Sequence, residues 1–132
     1  MPKFASSSVL DSGSDLIRTL AGTAARVKMH VIKAYTAGDA YATVIGNTCG
    51  STDLLAADLP VAANGLARRT TFGAKSVALT ANSGAAPDLH IAVVDSTGTV
   101  VLLVTDETSN QVLTSGGTFN VPSWTFDASQ PV

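Results

Sequence analysis

A single stretch of helical spacing near the start of this chain gives way to strand patterning, strictly alternating at 26–31 and strong from residue 68 onward. Val9, Leu10, Leu16, Ile17, Leu20, Ala21 and Ala24 recur every three to four positions, and Ser8 with Asp11 sets a weak capping pattern ahead of them. The spacing predicts a short amphipathic helix over 9–21, stopped at Gly22 and weakened by the internal Gly13. The period then drops to two. Arg26-Val27-Lys28-Met29-His30-Val31 alternates strictly, the mark of a half-buried strand, and Ile32-Lys33 breaks parity, the mark of a bulge or a strand end. Tyr41 to Ile45 reads as a second short strand, and 51–59 as one helical turn or a loop closed by Pro60. The segment 34–66, rich in Ala, Gly, Thr and Asp, is where the longest loops are expected.

From residue 68 the pattern is entirely β. Residues 68–75 and 76–81 are Thr-rich and β-branched, and Asn82-Ser83-Gly84 and Pro87-Asp88 carry turn chemistry. Residues 89–94 and 99–105 are two strands joined by Asp95-Ser96-Thr97-Gly98, with Asp and Gly at the ends of the turn. This hairpin is the clearest element of the chain, and its second strand is apolar on both faces. Ile91, Val93, Val101 and Leu103 are its expected core positions. Residues 111–114 are a short extended piece and Ser115-Gly116-Gly117 turns the chain again. Residues 118–126 form the last strand, whose inward face switches at Pro122-Ser123. That switch predicts a bulge on an edge strand. Short strands with frequent turn signals define the fold class: mainly β, an antiparallel sandwich or barrel-like domain with a short N-terminal helix. One domain over 1–132 is expected, with a flexible arm over 1–8, the helix over 9–21 and the β part over 26–132.

Composition narrows the function classes. The chain has 132 residues, 45% hydrophobic and only 14% charged, with a formal net charge of -2. Glu107 is the one glutamate beside nine aspartates, which argues against long charged helices and coiled coils. Scattered Lys and Arg give no electrostatic footprint for nucleic acid. No apolar run is long enough for a membrane span, and MPKFASSSVLDSG has no apolar core of a secretory signal. One cysteine, Cys49, makes no intramolecular disulfide.

Candidate chemistry is sparse. His30 and His90 each fall on a strand, and a histidine pair on neighbouring strands suits zinc, but no Cys or Glu stands at ligand spacing. Asp88, Asp95 and Asp106 fall in turns, where carboxylates hold calcium or cap their own backbone. Cys49 has no base nearby, and no G-x-S-x-G elbow is present. Arg68 and Arg69 are adjacent on a strand, so they face opposite ways. Trp124 and Phe126 share a face, as a sugar platform, a piece of core or a subunit contact. The reading is of a non-enzymatic protein with no catalytic residue, no metal site and no cofactor.

The order of elements, VLDSGSDLI, ARVKMHVIKA, ARRTTF, HIAVVDSTGTVVLLVT and QVLTSGGTFNVPSWTF, resembles small virion structural proteins of tailed phages and prophages. In those, a hairpin of the form ALVD-turn-LL and a turn-G-F-strand ending recur. The resemblance spans about residues 8–131 and departs from the family pattern over 52–63. It implies a place in the virion: capsid decoration or cement, a minor head protein or a fibre base, with the major capsid protein as partner. It also implies attachment at three-fold lattice sites, hence a homo-oligomer with a trimer favoured. Low net charge permits such self-association. Trp124, Phe126, Leu16 and Ile17 are the expected subunit contacts. The alternative is a fibre or adhesin-like domain that binds a host glycan through Trp124, Tyr41 or Tyr35.

Overall fold

A computed structural model describes residues 4–5, 15–64 and 67–128. In chain order the elements are β1 (Phe4–Ala5), α1 (Asp15–Ala21), β2 (Val27–Ile32), α2 (Tyr41–Gly46) and β3 (Thr48–Asp53). A 3-10 turn (Ala56–Asp58) leads to β4 (Val61–Asn64), β5 (Ala67–Phe72) and β6 (Lys75–Ala78). The chain closes with β7 (His90–Asp95), β8 (Val100–Asp106), β9 (Thr118–Val121) and β10 (Trp124–Ala128). The strands form a five-stranded sheet in the order β1-β8-β7-β2-β3, a three-stranded sheet β10-β5-β4 and a two-stranded ribbon β6-β9. Every pairing is antiparallel, and the molecule is a mainly β, sandwich-like fold.

The five-stranded sheet is the middle layer. On one face Met29, Val31, Ile91, Val93, Leu102 and Leu103 meet Phe72, Val77, Phe119 and Val121 from the smaller sheets. Ile17 and Ala21 of α1 close one end of this core with Leu54 and Leu59. On the other face Ile32, Ala92, Val94, Val101 and Val104 pack with Tyr35 and Val44, and Tyr41 and Ile45 flank them. All six residues of β7 are therefore buried. The expected half-buried strand at 26–31 is likewise covered on both faces, with His30 6% exposed.

Two register breaks are present, and only the one beside Ile32-Lys33 was expected from the sequence. Register shifts between Val31 and Ile32 where β2 meets β3, and between Val93 and Val94 where β7 meets β8. The second leaves Leu102 as the extra residue, because Val93 pairs with Leu103 and Val94 with Val101. Val101 consequently faces the second core, not the one that holds Ile91, Val93 and Leu103.

Several expectations are corrected. Tyr41 to Ile45 is helix, because Tyr41, Val44 and Ile45 stand at i, i+3 and i+4 and together cover the sheet. Thr48–Asp53 is a strand inside the segment read as loop. At its Gly50 there is no room for a side chain, since a Cβ would lie 2.4 Å from the Ala78 carbonyl oxygen, where β3 meets the end of β6. Residues 111–114 form no strand, and Leu113 is instead anchored through its N–H to the Ser83 hydroxyl at 2.8 Å. The last strand is two strands in different sheets, separated at Pro122-Ser123. Phe4 and Ala5, inside the expected flexible arm, pair with Val104 and Leu103 of β8. The rest of that arm and residues 9–14 of the expected helix lie outside the described residues.

Candidate functional site

The β7–β8 hairpin organises the polar groups at its two ends. At the turn end Asp95 is 5% exposed, and Arg26 donates to both its oxygens, Nε and Nη2 each at 2.9 Å. The Thr97 and Gly98 N–H groups donate to its Oδ1 at 3.1 Å. The Arg26 hydrogen bond outweighs desolvation and holds the Asp95 carboxyl below the ordinary aspartate value. A Cβ on Gly98 would stand 2.6 Å from Asp95 Oδ2, so the turn needs glycine there. Asp95 is thus a structural carboxylate of this turn, with its partners already supplied by the chain.

The open end is different. Asp88 stands two residues before His90, and His90 is the register partner of Asp106. Strand alternation and cross-strand pairing thereby bring three ligand-bearing side chains together. One potential donor atom from each lies within 4.8 Å of the others. His90 is 1% exposed, and its ring tilts against Tyr35 with centroids 5.6 Å apart. Its Nδ1 lies 3.0 Å from the Asp88 carbonyl oxygen and its Nε2 lies 3.7 Å from Asp106 Oδ1.

Beside Asp106 is a cleft of about 160 Å³ lined by Ile91, Thr105, Glu107, Thr108, Val121, Pro122 and Trp124. Trp124 stacks on Phe72, its partner across β10 and β5, with ring centroids 4.0 Å apart. Its indole Nε1 is buried without a hydrogen-bond partner. Glu107 Oε1 accepts from the Ser109 N–H at 3.2 Å and hydroxyl at 3.1 Å. The loops that frame this end are tied down by side chains: Asn110 Oδ1 accepts from the Leu89 N–H at 2.8 Å.

The two histidines do not form one site. Thr48 donates its hydroxyl proton to the Gly50 carbonyl at 3.1 Å, so at 2.9 Å it accepts from His30 Nδ1–H. Burial, helped by the Lys28 charge, lowers the His30 pKa to about 4 and keeps the ring neutral. Cys49 is buried and its thiol is pushed up by desolvation, which suppresses the thiolate. Arg69 is engaged by Asp127 across β5 and β10, with Nε to Oδ1 at 2.7 Å.

The expected contact residues separate. Ile17 is 1% exposed in this chain's own core and has no surface to offer a partner. Leu16, Trp124 and Phe126 are partly buried against the same core. Tyr35 is buried and receives the Gly38 N–H on its hydroxyl at 3.3 Å, and Tyr41 packs against the second core, so neither stands out as a sugar platform. The chain matches no family model, no curated protein and no solved structure.

Proposed function

We propose that this is a non-enzymatic structural protein of a tailed-phage virion, which decorates or cements the capsid as a homo-oligomer, a trimer for preference, on the major capsid protein. The observation that carries the reading is the double-sided burial of the central hairpin. It makes the domain a stiff slab whose remaining resources are strand edges and loops, which suits a part that is added to a lattice. The pairing of Phe4–Ala5 with the edge of β8 adds to it, since an N-terminal strand laid on a sheet edge is a device by which chains also clasp neighbours. Reconstruction of the particle at residue resolution tests the proposal. Density for this fold at many symmetry-related capsid positions is the expected result, and its absence from the capsid overturns it.

The second reading, a fibre or adhesin-like domain binding a host glycan, is favoured by the cleft at Trp124 with Asp106, Glu107 and two threonines on its wall. It predicts a few copies at a tail tip, and glycan binding that Trp124→Ala abolishes.

A further inference from the structure

We propose that Asp88, His90 and Asp106 bind a divalent transition-metal ion, with zinc as the best fit. The Asp88 carbonyl oxygen can only accept, so the His90 Nδ1 at 3.0 Å carries the hydrogen and donates it. This is the arrangement in which a metal-ligating histidine is held by a backbone carbonyl on its far nitrogen, leaving the Nε2 lone pair for the ion. That Nε2 points toward Asp106 Oδ1 at 3.7 Å, beyond hydrogen-bond distance. In the neutral ring a lone pair would then face a carboxylate, an arrangement a cation between them makes favourable. Zinc holds nitrogen and carboxylate oxygen at about 2.0–2.2 Å in tetrahedral geometry, so two ligands on one ion stand roughly 3.3–3.6 Å apart. The observed 3.7 Å lies just beyond that span, so a small closure of the Asp106 carboxylate on His90 completes the pair.

Asp88 supplies the third ligand from an exposed position at the mouth of the strand, one ligand atom from each of the three residues lying within 4.8 Å of the others. An imidazole with two carboxylates selects zinc or another first-row ion over calcium or magnesium, which prefer all-oxygen shells. Glu107 stands outside the cluster, and its Oε1 accepts from Ser109. Asp106 also stands at the edge of the neighbouring cleft.

Titration of the untagged full chain with cobalt(II), read by visible absorption, and with zinc, read by calorimetry and melting temperature, tests the site. One ion per chain is expected, with zinc raising the melting temperature. Asp88→Asn should weaken binding about tenfold or more, because it removes a ligand. Asp88 is exposed, so this variant folds independently of the buried His90. Asp106→Asn should act in the same direction, and His30→Gln should leave affinity unchanged. Wild-type protein that gives neither a cobalt spectrum nor zinc heat up to millimolar metal overturns the proposal. So does wild-type affinity in both aspartate variants.

Discussion

His30 and Gly50 illustrate two ways in which a single position is constrained by what surrounds it. His30 sits neutral between β3 and the second core, its pKa lowered to about 4 mainly by burial. The unfolded chain takes up this proton below about 6.5, whereas the folded chain does so only near 4. Between those values the unfolded state binds more protons, so stability falls as pH falls, by about 3 kcal/mol in total. Urea unfolding at pH 7, 5.5 and 4.5 should show that loss, and His30→Asn, which keeps a donor toward Thr48 but does not titrate, should flatten it. An equal slope in the variant would place the acid sensitivity elsewhere. Asp95 contributes in a separate and lower window: its depressed pKa gives stability that is lost only as pH falls through that folded value. Gly50 is constrained by space. With the Ala78 carbonyl oxygen 2.4 Å from where a Cβ would sit, Gly50→Ala must push β3 away from the end of β6. A loss of about 3 kcal/mol is expected in denaturant unfolding, and a variant of wild-type stability would show that this crossing is loose.

At the scale of elements, β7 and β8 were legible because their runs of Val, Ile and Leu exceed what one face needs. What periodicity left undecided was which of the apolar positions share a face. The extra residue Leu102 settles it, since it moves the partner of His90 from Thr105 to Asp106. A hairpin counted back from its turn without that bulge places Asp106 one step past His90, which is why the cluster with Asp88 could not be read from spacing. The D-x-H step ahead of the strand was the available signal. β3 was missed for a related reason: its burial rests on Cys49 and Gly50, small residues that carry no hydrophobic pattern. α2 was misread because YATVI is β-branched and apolar, although its 41, 44, 45 spacing suits a helix. Since both faces of β7 are covered, Val93→Ala and Val94→Ala should each cost on the order of 1–3 kcal/mol in unfolding free energy. A strand with one solvated face would show the loss at only one of them. A neutral Val94→Ala would mean that α2 and Tyr35 do not seal the second core.

The whole molecule ends in strand edges, and these differ in how they are protected. The outer edge of β8 receives Phe4–Ala5, and β10 carries Asp127, paired with Arg69. The residues of β4, Val61-Ala62-Ala63-Asn64, carry no charge and no proline, the devices that usually blunt an edge. β4 is therefore an edge suited to pair with a second copy under the oligomer proposed above. The ladder between β4 and β5 indicates how to test it. Thr71 N–H donates to the Pro60 carbonyl at 3.0 Å, so by alternation Ala62 and Asn64 bond inward, while Val61 and Ala63 turn their backbone groups outward. Ala63→Pro removes an outward N–H without breaking a hydrogen bond to β5, and proline is tolerated at an edge. Sedimentation across micromolar concentrations should show wild-type protein associating into a closed oligomer and Ala63→Pro remaining a monomer with nearly unchanged melting temperature. A variant that associates like the wild type would move the interface away from β4. A wild-type chain that stays monomeric in solution and on the particle would remove the homo-oligomer from the proposed function.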